Sequence, residues 1–360
     1  MKVLICPQEF KGSLSADEAA RAIASGLRRT HPGWTLDRCP MSDGGPGLLD
    51  ALRQAITADT SAAIVRDPLG RRVLARYLLV RETGDAVVEA AQANGLWHVK
   101  AEERNPLFSD TAGVGDLLRE VLSAPVKRVI VGVGGSATTD GGAGMAAALG
   151  ARFTDGAGNV LPPGGAPLAD LARIDWTRPA IFDGVTIEVA TDVTNPLIGP
   201  DGAAAVYGPQ KGATPAQVDI LEAALVRYAS VVRRSIGIDI ANLPGAGAAG
   251  GLAGGLVAFL GAHIASGFDL VARAVHLEER LAAADMIITG EGRFDSQSLQ
   301  GKVTGRVIAL ARAASKPVVV LAGSADPVFA DVQTFAALEP DAGRAMQAAG
   351  SLLAELAASL

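Results

Sequence analysis

The chain predicts an α/β protein of two domains: one Rossmann-like with a mostly parallel sheet, the other α/β with a mixed sheet. Three observations lead there. Apolar, strand-like runs alternate with capped helical segments along most of the chain, the pattern of parallel βαβ units. Residues 62–90 interrupt that alternation with a hairpin pattern. Glycine-rich turns follow several of the strand-like runs. The length of 360 residues accommodates two domains at about 150 residues each. The expected division is discontinuous, with residues 1–60 and 283–360 in the Rossmann-like domain and 61–282 inserted.

In chain order, Lys2–Pro7 reads as a buried strand. Ser15 and Glu18 form a capping box that opens a helix running to about Arg29. Trp34–Met41 is a second strand, turned by Ser42-Asp43-Gly44-Gly45 into a helix near 47–57. Ala62–Arg66, Arg71–Val80 and Ala86–Ala91 are short runs separated by turn-forming residues, so antiparallel neighbours are expected. Residues 92–124 hold helical and loop segments, and a strand at 126–133 follows. Residues 155–180 read as irregular, and Thr186–Ala190 as a strand. Thr214, Pro215 and Gln217 start a helix to about Ser235, with a side-chain cap and proline in the first turn. A glycine-rich stretch then leads into a helix near 256–264. The remainder reads as a strand at 285–289, a helix at 301–314, strands at 316–322 and 332–337, and a helix at 340–357.

Composition narrows the function classes. Apolar residues make up 49% and aromatics 4%, so the core is built from Ala, Val, Leu and Ile. Net charge is −6 and no basic stripe is visible, which argues against nucleic acid or an anionic membrane as partner. An anionic substrate must then be held by local Lys, Arg and backbone N–H groups. Cys6 and Cys39 both sit in apolar runs and suggest buried thiols in a reducing cytoplasm. Met1–Cys6 is too short for a secretory apolar segment, and no uninterrupted run reaches the ~18 residues of a membrane helix. Whether the chain forms a homo-oligomer stays open.

The chemistry collects after the strands. Asp43-Gly44-Gly45-Pro46-Gly47 is echoed by Asp140-Gly141-Gly142-Ala143-Gly144, each between a strand and a helix. The glycines allow a ligand to approach the backbone, and a helix start favours an anion. Either Asp could instead be a helix cap. Gly134, Gly135 and Ser136 precede the second copy. Lys11 and Ser13 follow the first strand, Asp192 and Asn195 follow 186–190, and Glu291, Arg293, Asp295 and Lys302 follow 285–289. In open α/β sheets, ligands bind at the carboxyl ends of strands. Carboxylates there can hold Mg²⁺ or take a proton, and cations can hold phosphate, which are the parts phosphoryl transfer needs. His31, His98, His263 and His276 show no metal-ligand spacing. Gly245-Ala246-Gly247-Ala248-Ala249-Gly250 matches the dinucleotide fingerprint, with Asp269 near the expected offset, but Asn242 and Pro244 break any strand before it.

With these blocks in view, the chain resembles the type I glycerate kinases, the bacterial glycerate 2-kinase family. The resemblance rests on Phe10-Lys11-Gly12-Ser13-Leu14, Ser42-Asp43-Gly44-Gly45, Gly134-Gly135-Ser136-Ala137-Thr138 and Asp140-Gly141-Gly142-Ala143-Gly144. It continues through Asp192-Val193-Thr194-Asn195-Pro196-Leu197, Gly208-Pro209-Gln210-Lys211-Gly212-Ala213, Pro244–Gly251, Thr289-Gly290-Glu291-Gly292-Arg293 and Asp295. It implies ATP- and Mg²⁺-dependent phosphorylation of D-glycerate to 2-phosphoglycerate, and two α/β domains with a cleft between them. The sequence departs from the family at Gln8-Glu9, where Asp-Ser is common, at Pro46, where Glu is common, and at Thr139, where Asn is usual. Thr304 lies near an expected Ala-Pro, and the segment after Gly323 is shorter.

On this reading Lys11, Asp192 and Asp295 are the candidate catalytic residues. Asp192 or Asp295 is the base for the substrate hydroxyl. Ser13, Asp43, Gly134, Gly135, Ser136, Asn195, Arg293 and Lys302 are candidates to bind substrate or phosphate, and Asp43, Asp140 and Glu291 to hold Mg²⁺. The rival readings are an NAD(P)-dependent hydroxy-acid oxidoreductase using residues 245–250 and a non-catalytic hydroxy-acid binding protein.

Overall fold

Val3, Leu4 and Ile5 have no solvent exposure, and the reason is their central place in a parallel sheet. In the computed structural model, which describes residues 1–299 and 302–360 apart from the side chain at 54, Lys2–Ile5 pairs with Thr35–Arg38 on one side and Met286–Phe294 on the other. Val318–Ala325 and Gln333–Thr334 extend the sheet outward from Met286–Phe294, and all five strands run parallel. They belong to a compact unit made of Met1–Asp43, Asp50–Ile56 and Gly267–Leu360. The second unit, Gly44–Leu49 and Thr57–Ser266, carries a six-stranded sheet. Its order is His263–Ala265, Thr186–Ala190, Arg128–Gly132, Asp85–Glu89, Arg72–Val80, Asp59–Arg66. The first four are mutually parallel, and the last two add antiparallel pairing. The fold is thus α/β, with one parallel and one mixed sheet.

Local chemistry explains the boundaries that the sequence signals well. Ser15 and Glu18 form the expected capping box of Ala16–Thr30, and Thr214 and Gln217 that of Pro215–Ile236. The latter helix ends at Gly237, whose φ of +84° is a left-handed cap. The hairpin turn after Asp59–Arg66 is held by Asp67, whose Oδ1 accepts from the N–H groups of Leu69 and Arg71 at 2.8 Å each.

Several elements differ from expectation. Met286–Phe294 continues past residue 289, so Glu291 and Arg293 lie on the strand itself. Gly290 pairs with Leu321, and a Cβ there would collide with the Leu321 carbonyl. The helix expected near 256–264 is Leu252–Leu260, followed by the strand His263–Ala265. Its surface is apolar all round, so the sequence lacked a phase to fix its start. The last helix is two, Ala342–Gln347 and Ala349–Ala358, the first capped by Asp341. Gly301, expected to begin a helix, lies outside the described residues, and the helix is described as Val303–Ala313. Within the region read as irregular, Arg173–Asp175 pairs with Arg152–Thr154. Three-residue strands are too short to show a period.

Candidate active site

In the first unit the chain leaves Lys2–Ile5 toward Thr35–Arg38 and later returns on its other side as Met286–Phe294. This reversal is a topological switch point, where the carboxyl ends of parallel strands open a crevice. The N–H of Gln8 donates to the carbonyl of Gly290 at 3.0 Å, carrying the pairing past Ile5. Phe10 is buried and stacks on Phe335, with ring centroids 6.1 Å apart. A tight turn follows, with Gly12 at φ +78° and the Ser13 hydroxyl donating to the Phe10 carbonyl at 2.9 Å. A buried anchor and a closed turn thus leave Lys11 at the surface.

The crevice is a pocket of about 610 Å³. Lys11, Ser13, Asp43, Glu291, Arg293, Asp295 and Lys302 all line it, so seven of the sequence-derived candidates come together there. Gln8 and Glu9 line it as well. The Glu291 carboxylate is buried and accepts from Gln8 Nε2 at 3.2 Å. Burial raises its pKa, opposed by the neighbouring Ser298 and Thr304 hydroxyls and by Lys302. Among the described residues, Glu291 Oε1 is buried with no hydrogen-bond partner. Burial likewise raises Glu9, with Lys11 opposing the shift and Asp43 adding to it. Asp295 Oδ1 accepts from the N–H groups of Gln297 at 2.9 Å and Ser298 at 3.3 Å. Arg293 is largely exposed and donates to Asp326 at 3.0 Å.

The other candidates lie in the second unit. Gly134 and Gly135 are packed against the first Asp-Gly-Gly loop: a Cβ at Gly134 would lie 2.7 Å from Gly45 Cα, and one at Gly135 2.7 Å from Pro46 Cγ. These glycines therefore let two loops touch. The Ser136 hydroxyl and the Thr138 carbonyl accept from Lys211 Nζ at 3.0 and 2.6 Å. Lys211 is buried, which lowers its pKa to about 7 against the opposing pull of Asp140. Asp140 is itself buried; Oδ2 accepts from Thr111 N (2.9 Å), Thr111 Oγ1 (2.8 Å) and Gly144 N (3.0 Å), and Oδ1 from Gly142 N (3.1 Å). Burial raises its pKa, and these donors oppose the rise. Asn195 is committed at both ends, Nδ2 to the Asp201 carbonyl at 2.8 Å and Oδ1 to the Tyr207 hydroxyl at 2.7 Å.

Asp192 sits in a second, more open pocket of about 620 Å³, lined also by Thr191, Thr194, His263 and Ser266. The Ser266 hydroxyl donates to Asp192 Oδ1 at 2.7 Å. Of the residues first assigned to Mg²⁺, Asp43 and Glu291 line the first-unit pocket, while Asp140 is in the second unit. Among the described residues no group of three or more His, Cys, Asp or Glu is arranged to hold a metal.

Sequence reasoning gave no role to Glu9, Lys211 or Asp110. Glu9 was within reach of the rule that selected Lys11, since it follows the same strand. Lys211 is a single lysine in a loop, and nothing in its spacing announces its burial. Asp110 is pushed up to about 6 by burial and by Asp140, a long-range pairing that no sequence window contains. The dinucleotide fingerprint does not open a helix after a strand. Ala248–Gly251 is a 3₁₀ turn, and Cβ atoms at Gly247 and Gly250 would collide with the carbonyls of Pro196 and Thr138.

Cations and carboxylates at the carboxyl edge of an open parallel sheet are the apparatus of a phosphotransferase, and comparison with known proteins supplies the family. The chain belongs to the glycerate kinase family, whose profile matches residues 3–359. It is 45% identical over 324 residues to the glycerate kinase of Halalkalibacterium halodurans, covering 89% of this chain and 85% of that one. It is 44% identical over 326 residues to the glycerate 2-kinase of Escherichia coli K12, covering 90% and 85%. A crystal structure from Salmonella typhimurium LT2, described as glycerate kinase 2, superposes with a TM-score of 0.80 at 42% identity, covering 100% of this chain and 96% of that one. The protein is a kinase of this family.

Proposed function

We propose that the protein transfers the γ-phosphoryl group of ATP to the 2-hydroxyl of D-glycerate, with Mg²⁺, in the cytoplasm. The observation that carries this reading is the joining of Lys11, Arg293 and Lys302 with Asp43, Glu291 and Asp295 in one pocket, within a chain of the glycerate kinase family. Among the described residues no helix is long and apolar enough to cross a membrane.

In this reading Lys11, Lys302 and Ser13 hold phosphate oxygens, and Arg293 adds charge once it shares its contact with Asp326. Lys11 also neutralises charge that builds during transfer. The donor set fits Mg²⁺, which is usually held by one or two carboxylates together with phosphates and water. Asp43 and Glu291 would hold it, and Glu291 Oε1, buried with no hydrogen-bond partner among the described residues, is the observation that favours this. When bound, the ion neutralises phosphate charge. Asp140 we assign to the fold, because its carboxylate is already saturated with donors. The proton of the accepting hydroxyl goes to Asp192 or Asp295, and the two are separated by the substitutions described in the Discussion.

The direct test is incubation with ATP, Mg²⁺ and D-glycerate, with the product identified by ³¹P NMR. Formation of 2-phosphoglycerate is expected. Formation of 3-phosphoglycerate would overturn the regiochemistry, and absence of any phosphoglycerate would overturn the function.

A further inference from the structure

The first-unit pocket is lined by two chemically different sets of residues. Lys11, Lys302, Asp43 and Glu291 are charged; Phe335, Pro340, Ala342, Ala345 and Met346 supply apolar lining, with Glu339 beside Pro340. Glycerate is a three-carbon acid whose surface is almost wholly polar. An apolar wall gives it nothing, and a volume of about 610 Å³ is far more than it fills. Pockets of roughly 300–1,000 Å³ take ligands of drug size, with apolar walls and a few polar groups fixing orientation.

Two details join the two sets into one site. Met346 is 47% exposed although it lies among apolar neighbours, so its thioether is available to a ligand. A Cβ at Gly12 would lie 2.8 Å from Met346 Cε, so the turn that presents Lys11 packs directly on the wall. Methionine suits a surface that must fit a flat, polarisable ring, because its thioether is flexible and makes favourable contacts with aromatic systems.

We propose that this pocket holds the phosphate donor as a purine nucleotide, with the base against Ala342, Ala345 and Met346 and the phosphates toward Lys11 and Lys302. The inference rests on the kinase reading above and adds which unit binds the donor and which side chains receive its base.

The test compares two probes by isothermal titration calorimetry in the presence of Mg²⁺: adenosine 5′-(β,γ-imido)triphosphate and inorganic tripolyphosphate, which has the phosphates but no base. Ala345→Leu narrows the wall. Met346→Ser removes the thioether at an exposed position and so spares the fold. In both variants the Kd of the nucleotide analogue is expected to rise at least fivefold. The Kd of tripolyphosphate and the KM for D-glycerate should stay within twofold. Lys302→Ala should weaken both probes. Equal weakening of the two probes by Met346→Ser, unchanged nucleotide affinity in both wall variants, or a rise confined to the KM for D-glycerate would overturn the placement. If the unsubstituted enzyme phosphorylates glycerate and both wall variants bind the nucleotide analogue as it does, this inference alone fails. If it neither turns over nor binds the analogue, the kinase reading fails with it.

Discussion

Asp192 and Asp295 differ in how the fold holds them: the first accepts from a serine hydroxyl, the second is tied through Oδ1 to two backbone N–H groups. A general base contributes about 10²–10⁴-fold to rate. Replacing the base with Asn should therefore lower kcat by about that factor, while the Kd for ATP stays within twofold. The other carboxylate, on conversion to Asn, should change ATP affinity or leave kcat near normal. Turnover close to normal in either variant removes that residue from the base role. Lys211 permits a prediction with a definite sign. Its folded-state pKa of about 7 lies below the ordinary 10.5, so the unfolded chain binds more protons between these values. The stability this lysine permits is fully present above 10.5 and is lost as pH falls toward 7. Its slope approaches about 1.4 kcal/mol per pH unit within that window. Denaturant titrations at pH 7.5 and 9.5 should show a gain for the native sequence that Lys211→Met lacks. Equal pH dependence in both would show that Lys211 is solvated. Lys11, Glu291, Arg293 and Lys302, singled out because the carboxyl end of a parallel strand is a place that sequence can mark, line one pocket in the structure. Ser136 and Asp140 follow the same rule, yet the fold turns both inward to partners far along the chain.

Among the elements, the two glycine-rich turns show how similar local sequence can serve different ends. Both copies of Asp-Gly-Gly-x-Gly follow a strand and precede a helix, as read from sequence, and the loops meet at Gly45 and Gly134. The second Asp, Asp140, ties Thr111 to the start of Ala143–Ala148. Asp140→Ala should cost roughly 2–4 kcal/mol, the scale of buried donors left unpaired. The loss is measurable as a lower Tm, with kcat retained at a temperature where the variant is folded. Unchanged Tm would remove the capping role. Gly26 makes a similar point for helix packing. Ala16–Thr30 crosses Ala349–Ala358 so closely that a Cβ at Gly26 would collide with the Ala354 carbonyl. Gly26→Val should destabilise by about 1–3 kcal/mol, the usual scale of overpacking. A neutral result by denaturant titration would show that the helices can separate freely. Nothing in the sequence distinguished Gly26 from an ordinary helical glycine, because the partner lies more than 300 residues away.

For the molecule as a whole, burial is organised around distinct cores. Ile5, Ile23, Ile288 and Leu353 belong to one apolar cluster, and Val88, Leu117, Val131 and Val189 to another. Removing buried atoms from one should loosen that unit first, since local stability follows local packing. Leu353→Ala should reduce amide-exchange protection at 286–290 more than at 128–132, and Leu117→Ala should do the reverse. Equal losses in both regions would mean that the chain unfolds as one cooperative block. By itself, the sequence determined the α/β class, the hairpin block, the capped helix starts and the family resemblance. Those rest on local periodicity, turn chemistry and residue blocks in fixed order, all of which a linear reading preserves. Only the tertiary structure decided which polar residues face a pocket and which are consumed as internal partners. It drew Lys11, Asp43 and Glu291 to one crevice, and it buried Asp140 against Thr111 and Ser136 against Lys211. The physical reason is that burial and hydrogen bonding are set by neighbours distant in sequence. The same carboxylate can be a ligand group in one surrounding and a helix cap in another.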